Sequence, residues 1–295
     1  MSAVSPKLRL HLFGGHAHEL NALSLALAMA RHDGAHLRIL HIAETPFLPE
    51  ISGLGAYGAG AEANLHEPDH VQLAQDAAAY VRAYCLHEKV PLLRPGDSPV
   101  AGQASAEFRN VSGTPATVVM QQALSCDLVV SDWNHQPDED LSTTRSVLFG
   151  ARRPIMLLPR QPHHPLSVSG VTRVFAFAWD GSRTAAQALR AAVPSMQNAS
   201  EVYILHAMTG RAALDTVAAA DVLAYLRSHG ISATFVQCDR GGRSVGQTIV
   251  AEAEARSVGL LALGAYSRGH LAERVFGGVT RHVLRHARLP LLLAH

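Results

Sequence analysis

At 295 residues, with 48% hydrophobic and 17% charged residues, the chain can form one large domain or two ordinary ones and has ample apolar surface to bury. The net charge of +1 argues against a general nucleic-acid or membrane-surface binder, although eighteen histidines would turn the charge strongly positive below pH 6. Cys85, Cys126 and Cys238 show no CxxC spacing, the opening MSAVSPKLRLHLFGG lacks the apolar stretch of a secretion signal, and no run of about 20 apolar residues marks a membrane span. A soluble cytoplasmic protein without disulfides is the expectation.

In chain order, strands are predicted at Leu8–Phe13, Leu37–Ala43, Val90–Leu93, Leu128–Val130 and Ile155–Leu158. A helix-like segment covers Val71–Leu86, with Cys85 partly exposed on it and Cys126 and Cys238 buried in or beside apolar runs. Thr45–Asp69 reads as an inserted loop, too Gly-rich for a long helix. Gln161–Gly170, rich in Pro, Ser and His, reads as a linker. Beyond it the spacing predicts a strand at Val171–Trp179, a helix at Thr184–Met196 capped by Ser182 or Thr184, and a strand at Glu201–Ala207. A helix at Leu214–His229 closed by Gly230, a strand at Ile231–Cys238, and a helix at Ser244–Arg256 follow. The chain ends with strand Val258–Leu263, a helix containing Thr280–His286, and strand Leu289–Leu293. Strands alternating with helices predict an α/β fold with a mostly parallel sheet covered on both faces.

The chain repeats itself. Leu10–Leu23 aligns without a gap on Ala176–Leu189, Leu37–Ala43 resembles Val202–Met208 through a shared Ile-Leu-His, and Ser146–Leu158 resembles His282–Leu293. The matches keep their order, which means duplicated domains rather than a short-repeat solenoid. The expected division is residues 1–160, a linker at 161–170, and residues 171–295. Residues 1–160 carry 12 Lys and Arg against 16 Asp and Glu, a net of −4; the remainder carries 13 against 8, a net of +5. An anionic ligand would favour the second half.

The residues point to one phosphate-binding candidate. Gly264 leaves a strand at the edge where ligands of open α/β sheets collect. Gly277 and Gly278 precede a helix whose free N–H groups can meet a phosphate, and Thr280 adds a hydroxyl. Asp180 ends the first strand of this half, where a carboxylate can accept from a ribose hydroxyl or hold Mg²⁺. In the first half Gly14 stands in place of Asp180, Ser131-Asp132-Trp133-Asn134 fills the strand end, and no paired glycines precede Ser146, so that copy is expected to have lost the site.

Taken together, the strand ending in Ala178-Trp179-Asp180-Gly181-Ser182, the Ile-Leu-His strand, the loop after Gly264 and the ending from Gly277 resemble the universal stress protein family in its tandem form. The resemblance covers nearly the whole chain. It implies two duplicated five-stranded parallel-sheet domains, Rossmann-like and similar to the adenine nucleotide alpha hydrolase fold, packed as an intrachain pseudo-dimer through Ile155–Leu158 and Leu289–Leu293, with a further homodimer left open. The family's nucleotide motif, Gly-x2-Gly-x9-Gly-(Ser/Thr), falls on Gly264, Ser267, Gly277 and Gly278; Ser267 replaces the second glycine and Gly278 the hydroxyl residue. By resemblance Ala178 and Ala207 line an adenine slot, Leu263 flanks it, and Val279 belongs to the same nucleotide site. Arg268 and Arg274 are the nearby cations. The implied function is a stress-response regulatory protein binding ATP or AMP, with or without Mg²⁺, in its second domain and working through protein partners.

Other chemistry has less support. There is no P-loop, and no GxGxxG fingerprint follows the first strand of either half. His282 and His286 have chelating spacing, as do the neighbours His16 and His18, and His163 and His164, but such pairs are expected among eighteen histidines. No general base beyond Asp180 is evident, so slow ATP hydrolysis or self-phosphorylation ranks second and a nucleotide-free scaffold third. Neither catalytic nor metal-binding residues are assigned.

Overall fold

The structure, a computed structural model, describes residues 7–43, 67–94, 96–133, 141–208, 212–265 and 277–295. It divides into two compact units, residues 1–127 and 128–295.

In the first unit β1 (Leu8–Leu12), β2 (His36–Ala43) and β3 (Ser105–Ser112) form a parallel sheet in the order β3-β2-β1. The register sets Leu10 against Arg38 and His36 against Ser105. α1 (Leu20–Asp33), α2 (Glu67–His87) and α3 (Pro115–Ala123) accompany them. The third strand is not Val90–Leu93, which contributes only a bridge from Leu92 to Ala106. Ser105–Ser112 escapes a hydrophobicity reading because its polar residues are satisfied across the sheet. Glu107 accepts from Arg38 Nε at 2.6 Å and from Arg109 at 3.0 Å, and His36 Nδ1 lies 2.8 Å from Ser105 Oγ. Burial pushes Glu107 up, but hydrogen bonds from His36, Arg38 and Arg109 overcome it and hold the carboxyl at about 2. Of the loop expected at Thr45–Asp69, residues 45–66 lie outside the described residues, and 67–69 already belong to α2. Cys85 is buried rather than partly exposed; burial pushes its thiol up to about 11.

The second unit contains β4 (Leu128–Trp133), α4 (Ser142–Arg145), a π turn at Ser146–Ala151, β5 (Ile155–Pro159), α5 (Val168–Arg173), β6 (Val174–Ala178), α6 (Arg183–Met196) and β7 (Glu201–Ala207). α7 (Ala212–Ser228), β8 (Thr234–Cys238), α8 (Val245–Ala255), β9 (Leu260–Gly264), α9 (Gly278–His286) and β10 (Leu291–Ala294) complete it. The strands run β4-β5-β10-β9-β6-β7-β8, every neighbouring pair parallel except β5 with β10. That antiparallel pair sets Leu157 against Leu291, Met156 against Leu292 and Ile155 against Leu293. Phe175, Phe177, Leu261 and Leu291 are fully buried or nearly so, which is why these strands read as continuous apolar runs rather than alternating ones.

Two predicted strand starts need correction: β8 begins at Thr234 rather than Ile231, and β6 at Val174 rather than Val171. Val171–Arg173 is not strand but the end of α5, whose N-cap Ser167 accepts from Gly170 N at 3.0 Å. The serine read as part of a linker is a helix start. α5 also comes so near the turn before β9 that a Cβ on Gly259 would stand 1.8 Å from the Gly170 carbonyl oxygen, so that position admits only glycine.

Candidate functional site

From β6 the chain proceeds to β7 on one side, while β9 pairs with β6 on the other. Such a reversal of strand order opens a crevice at the carboxyl ends of the strands. The crevice here is a cavity of about 420 Å³.

Each wall has a local cause. β6 ends at Ala178, and the following turn is fixed through its backbone: Trp179 N–H donates to the Leu205 carbonyl at 2.9 Å, and the Trp179 carbonyl accepts from His206 Nδ1 at 2.9 Å. Because a carbonyl only accepts, this bond places the His206 proton on Nδ1. Asp180 Oδ1 accepts from Ser182 N at 2.9 Å, and Ser182 Oγ caps α6 by accepting from Ala185 N at 3.1 Å. β7 contributes His206 and Ala207 at its end. β9 contributes Leu263 and Gly264. A Cβ on Gly264 would lie 3.1 Å from Ala185 N and from the Thr184 carbonyl carbon, so glycine lets the strand end touch the first turn of α6.

The remaining wall is the start of α9. Gly277 is its N-cap, with φ −60° and ψ 158°, and no side chain caps the helix. The helices beside it differ: Ser182 caps α6, and Ser244 with Gln247 forms a capping box on α8. Among the described residues, the first N–H groups of α9, on Gly278, Val279 and Thr280, therefore remain available at the cavity wall, with the positive end of the helix dipole behind them. A Cβ on Gly277 or Gly278 would meet nothing within 4 Å. Thr280 is buried and also lines the cavity. Asp180 is the only Asp, Glu, Lys or Arg among the described lining residues.

Nine of the ten residues singled out in the sequence thus meet around one cavity: Ala178, Asp180, Ala207, Leu263, Gly264, Gly277, Gly278, Val279 and Thr280. Ser267, Arg268 and Arg274 lie outside the described residues. Sequence reasoning passed over Trp179, Ser182, Ala185, His206, Val245 and Ile249 as cavity walls. Trp179, Ser182 and His206 stand inside the strings that carried the resemblance. Val245 and Ile249 come from α8, which is brought in by packing on α9; a Cβ on Gly246 would lie 2.7 Å from His282 Cβ.

In the first unit, the Glu19 carboxylate lies 2.8 Å from where a Cβ on Gly14 would stand, and Glu19 is buried. In the second unit Asp132 is ion-paired with Arg160, and Trp133 Nε1 donates to the Leu284 carbonyl of α9 at 3.0 Å. His282 and His286 stack with ring centroids 4.0 Å apart, and His286 Nδ1 donates to the His282 carbonyl at 2.9 Å. Burial, and then His286, hold His282 below its ordinary value, and among the described residues no third His, Cys, Asp or Glu joins them as a ligand.

The fold and cavity define the second unit as a doubly wound α/β domain with a crevice at its strand-order reversal. Residues 173–295 match the sequence model of the Universal stress protein family. Over its full length the chain is similar in fold to a universal stress protein from Archaeoglobus fulgidus DSM 4304, at 15% identity, covering 98% of both chains with a TM-score of 0.70. It is also similar to a putative universal stress protein from Pseudomonas aeruginosa UCBPP-PA14, at 15% identity, covering 98% of this chain and 93% of that one with a TM-score of 0.57. A comparison with curated proteins gave no match. No helix among the described residues is long and apolar enough to cross a membrane.

Proposed function

We propose that the chain is a regulatory nucleotide-binding protein of the stress response, taking up AMP or ATP in the cavity of its second unit and signalling occupancy to protein partners. The observation that carries this reading is the uncapped N-terminus of α9 in a cavity at the strand-order reversal. The phosphate sits on the N–H groups of Gly278, Val279 and Thr280, with the Thr280 hydroxyl beside it. The base lies toward Ala178, Ala207 and Leu263, which supply an apolar slot. Asp180 faces the ribose, or a Mg²⁺ ion accompanying ATP. One of its oxygens already holds the Ser182 N–H, which fits a positioning role better than that of a general base. Regulation requires that the nucleotide favour one conformational state over another.

The test is direct. Purified protein is denatured, the released small molecules are read by mass spectrometry, and AMP and ATP are titrated by calorimetry. Adenine nucleotide near one equivalent, or saturable binding at one site, supports the reading. No released nucleotide together with no heat and no thermal shift at millimolar AMP or ATP overturns it.

A further inference from the structure

We infer that the turn Arg240–Arg243, between β8 and α8, is a clamp for a phosphate group, a binding site additional to the start of α9. The local sequence Arg-Gly-Gly-Arg makes the turn. Gly241 and Gly242 have φ of +51° and +83°, and Arg243 N donates to the Arg240 carbonyl at 2.8 Å, the type I′ pattern that glycines adopt without strain. An arginine therefore stands at each end of one tight turn. Each is anchored on the other's backbone: Arg240 Nε donates to the Arg243 carbonyl at 3.0 Å, and Arg243 Nε to the Arg240 carbonyl at 3.2 Å.

The anchors leave the forks open. Each uses a single N–H of its guanidinium and leaves the Nη donors over. Among the described residues neither guanidinium is ion-paired with a carboxylate. The neighbouring Asp239 instead accepts from Gly241 N at 3.1 Å. Other arginines of this unit differ, since Arg160 is paired with Asp132 and Arg256 with Glu252. Arg243 is exposed and Arg240 half-buried, and a Cβ on Gly241 or Gly242 would meet nothing within 4 Å, so the space over the turn is open. Two like charges fixed at the ends of one turn raise each other's energy, and an anion bound to both reverses the sign. Guanidinium forks match phosphate oxygens in pairs, and anchored side chains lose less freedom on binding than free ones.

The turn runs from one wall of the crevice to another. β8 ends at Cys238, the register partner of the wall residue Ala207, and Val245, the first residue of α8, is itself a wall. One chemistry thus has two sources: the terminal phosphates of a nucleotide seated in the cavity, or a free inorganic polyphosphate.

The experiment titrates inorganic triphosphate, ATP and AMP by calorimetry into the wild type, the double variant Arg240→Gln with Arg243→Gln, and the double variant Arg240→Lys with Arg243→Lys. Thermal unfolding checks that the variants, which keep both glycines, are folded. The clamp predicts saturable triphosphate binding that weakens as salt rises, falls about tenfold or more in the glutamine variant, and is not restored by lysine, which keeps the charge and loses the fork. ATP weakened by the same factor with AMP unchanged identifies a nucleotide's terminal phosphates as the ligand; ATP unchanged identifies a free polyphosphate. Wild-type protein that neither binds triphosphate nor prefers ATP to AMP overturns the clamp, as does a glutamine variant that binds triphosphate and ATP like the wild type. Full affinity in the lysine variant overturns it too, by reducing the turn to diffuse positive charge. Wild-type protein that binds triphosphate but neither AMP nor ATP refutes the nucleotide reading of the cavity and leaves the clamp standing.

Discussion

The glycines of the cavity should behave oppositely when given side chains, and this tests both the site and the geometry. A Cβ on Gly278 meets nothing within 4 Å, and the residue opens α9 with helical backbone, so Gly278→Val should fold with stability close to wild type. Its methyl groups would stand against the N–H groups that a phosphate needs. The loss comprises the dipole term, about 0.3–2 kcal/mol, and at least one charge-assisted hydrogen bond, about 1.5–3 kcal/mol. Together these amount to roughly 2–5 kcal/mol, or about a 30- to 5000-fold rise in the Kd for AMP. Gly264→Ala should do the reverse of sparing the fold. Its Cβ would press at 3.1–3.2 Å on backbone atoms of Thr184 and Ala185, which cannot rotate out of the way as a side chain could. Overpacking of this kind costs about 1–3 kcal/mol, and Tm should fall by several degrees. Calorimetric titration with AMP and thermal unfolding of the three proteins suffice. Gly278→Val binding AMP within threefold of wild type would refute the placement of phosphate on α9. Gly264→Ala melting at the wild-type temperature would refute the close approach of β9 to α6.

Glu107 links stability to acid pH. Its folded value of about 2 lies below the ordinary 4.5, so its contribution is complete above pH 4.5 and disappears as pH falls toward 2; the shift corresponds to at most about 3 kcal/mol. Urea unfolding should show Glu107→Gln less stable than wild type at pH 7, with the two converging near pH 2. Trp133→Phe leaves the Leu284 carbonyl without its indole donor in a buried setting and should cost about 1–3 kcal/mol in urea unfolding. Ser244→Ala removes one half of the capping box on α8 and should cost about 1 kcal/mol, again read by urea unfolding. Thiol labelling at pH 8 should be slow in the native state and fast in urea, because all three cysteines are buried and the Cys85 and Cys238 thiols are pushed up to about 11, in Cys238 chiefly by burial and then by Glu252.

What was legible in the sequence follows the physics of each signal. Strands buried on both faces announce themselves as apolar runs, so Glu201–Ala207 is placed to the residue and Leu260–Gly264 within two. Helix starts announce themselves through caps, and Ser182 and Ser244 both do what their sequence position suggests. β3 escapes the reading because a strand whose Glu107 and Ser105 pair across to β2, with Arg109 pairing to Glu107 along the strand, carries no hydrophobic pattern. Val171–Arg173 was misread because β-branched residues favour strands locally, while the Ser167 cap, a longer-range instruction, made them helical.

The same distinction explains why the two copies of the repeat agree in one place and part in another. Ile155–Leu158 and Leu289–Leu293 stay recognisably alike. The pairing of β5 with β10 uses backbone hydrogen bonds and bulky apolar side chains, and many aliphatic residues satisfy it. The crevice of the second unit makes demands that single residues meet. Gly264 must lack a side chain to touch α6, Gly277 and Gly278 keep the mouth of α9 clear, and Asp180 must accept from Ser182. In the first copy the corresponding positions hold Gly14, beside the buried Glu19 carboxylate, and Asp132, engaged by Arg160. A helix start without a cap is costly to keep, since several N–H groups go without protein partners. In the second copy α9 keeps such a start while its neighbours α6 and α8 are capped. A phosphate bound at that start, as proposed above, would offset the deficit.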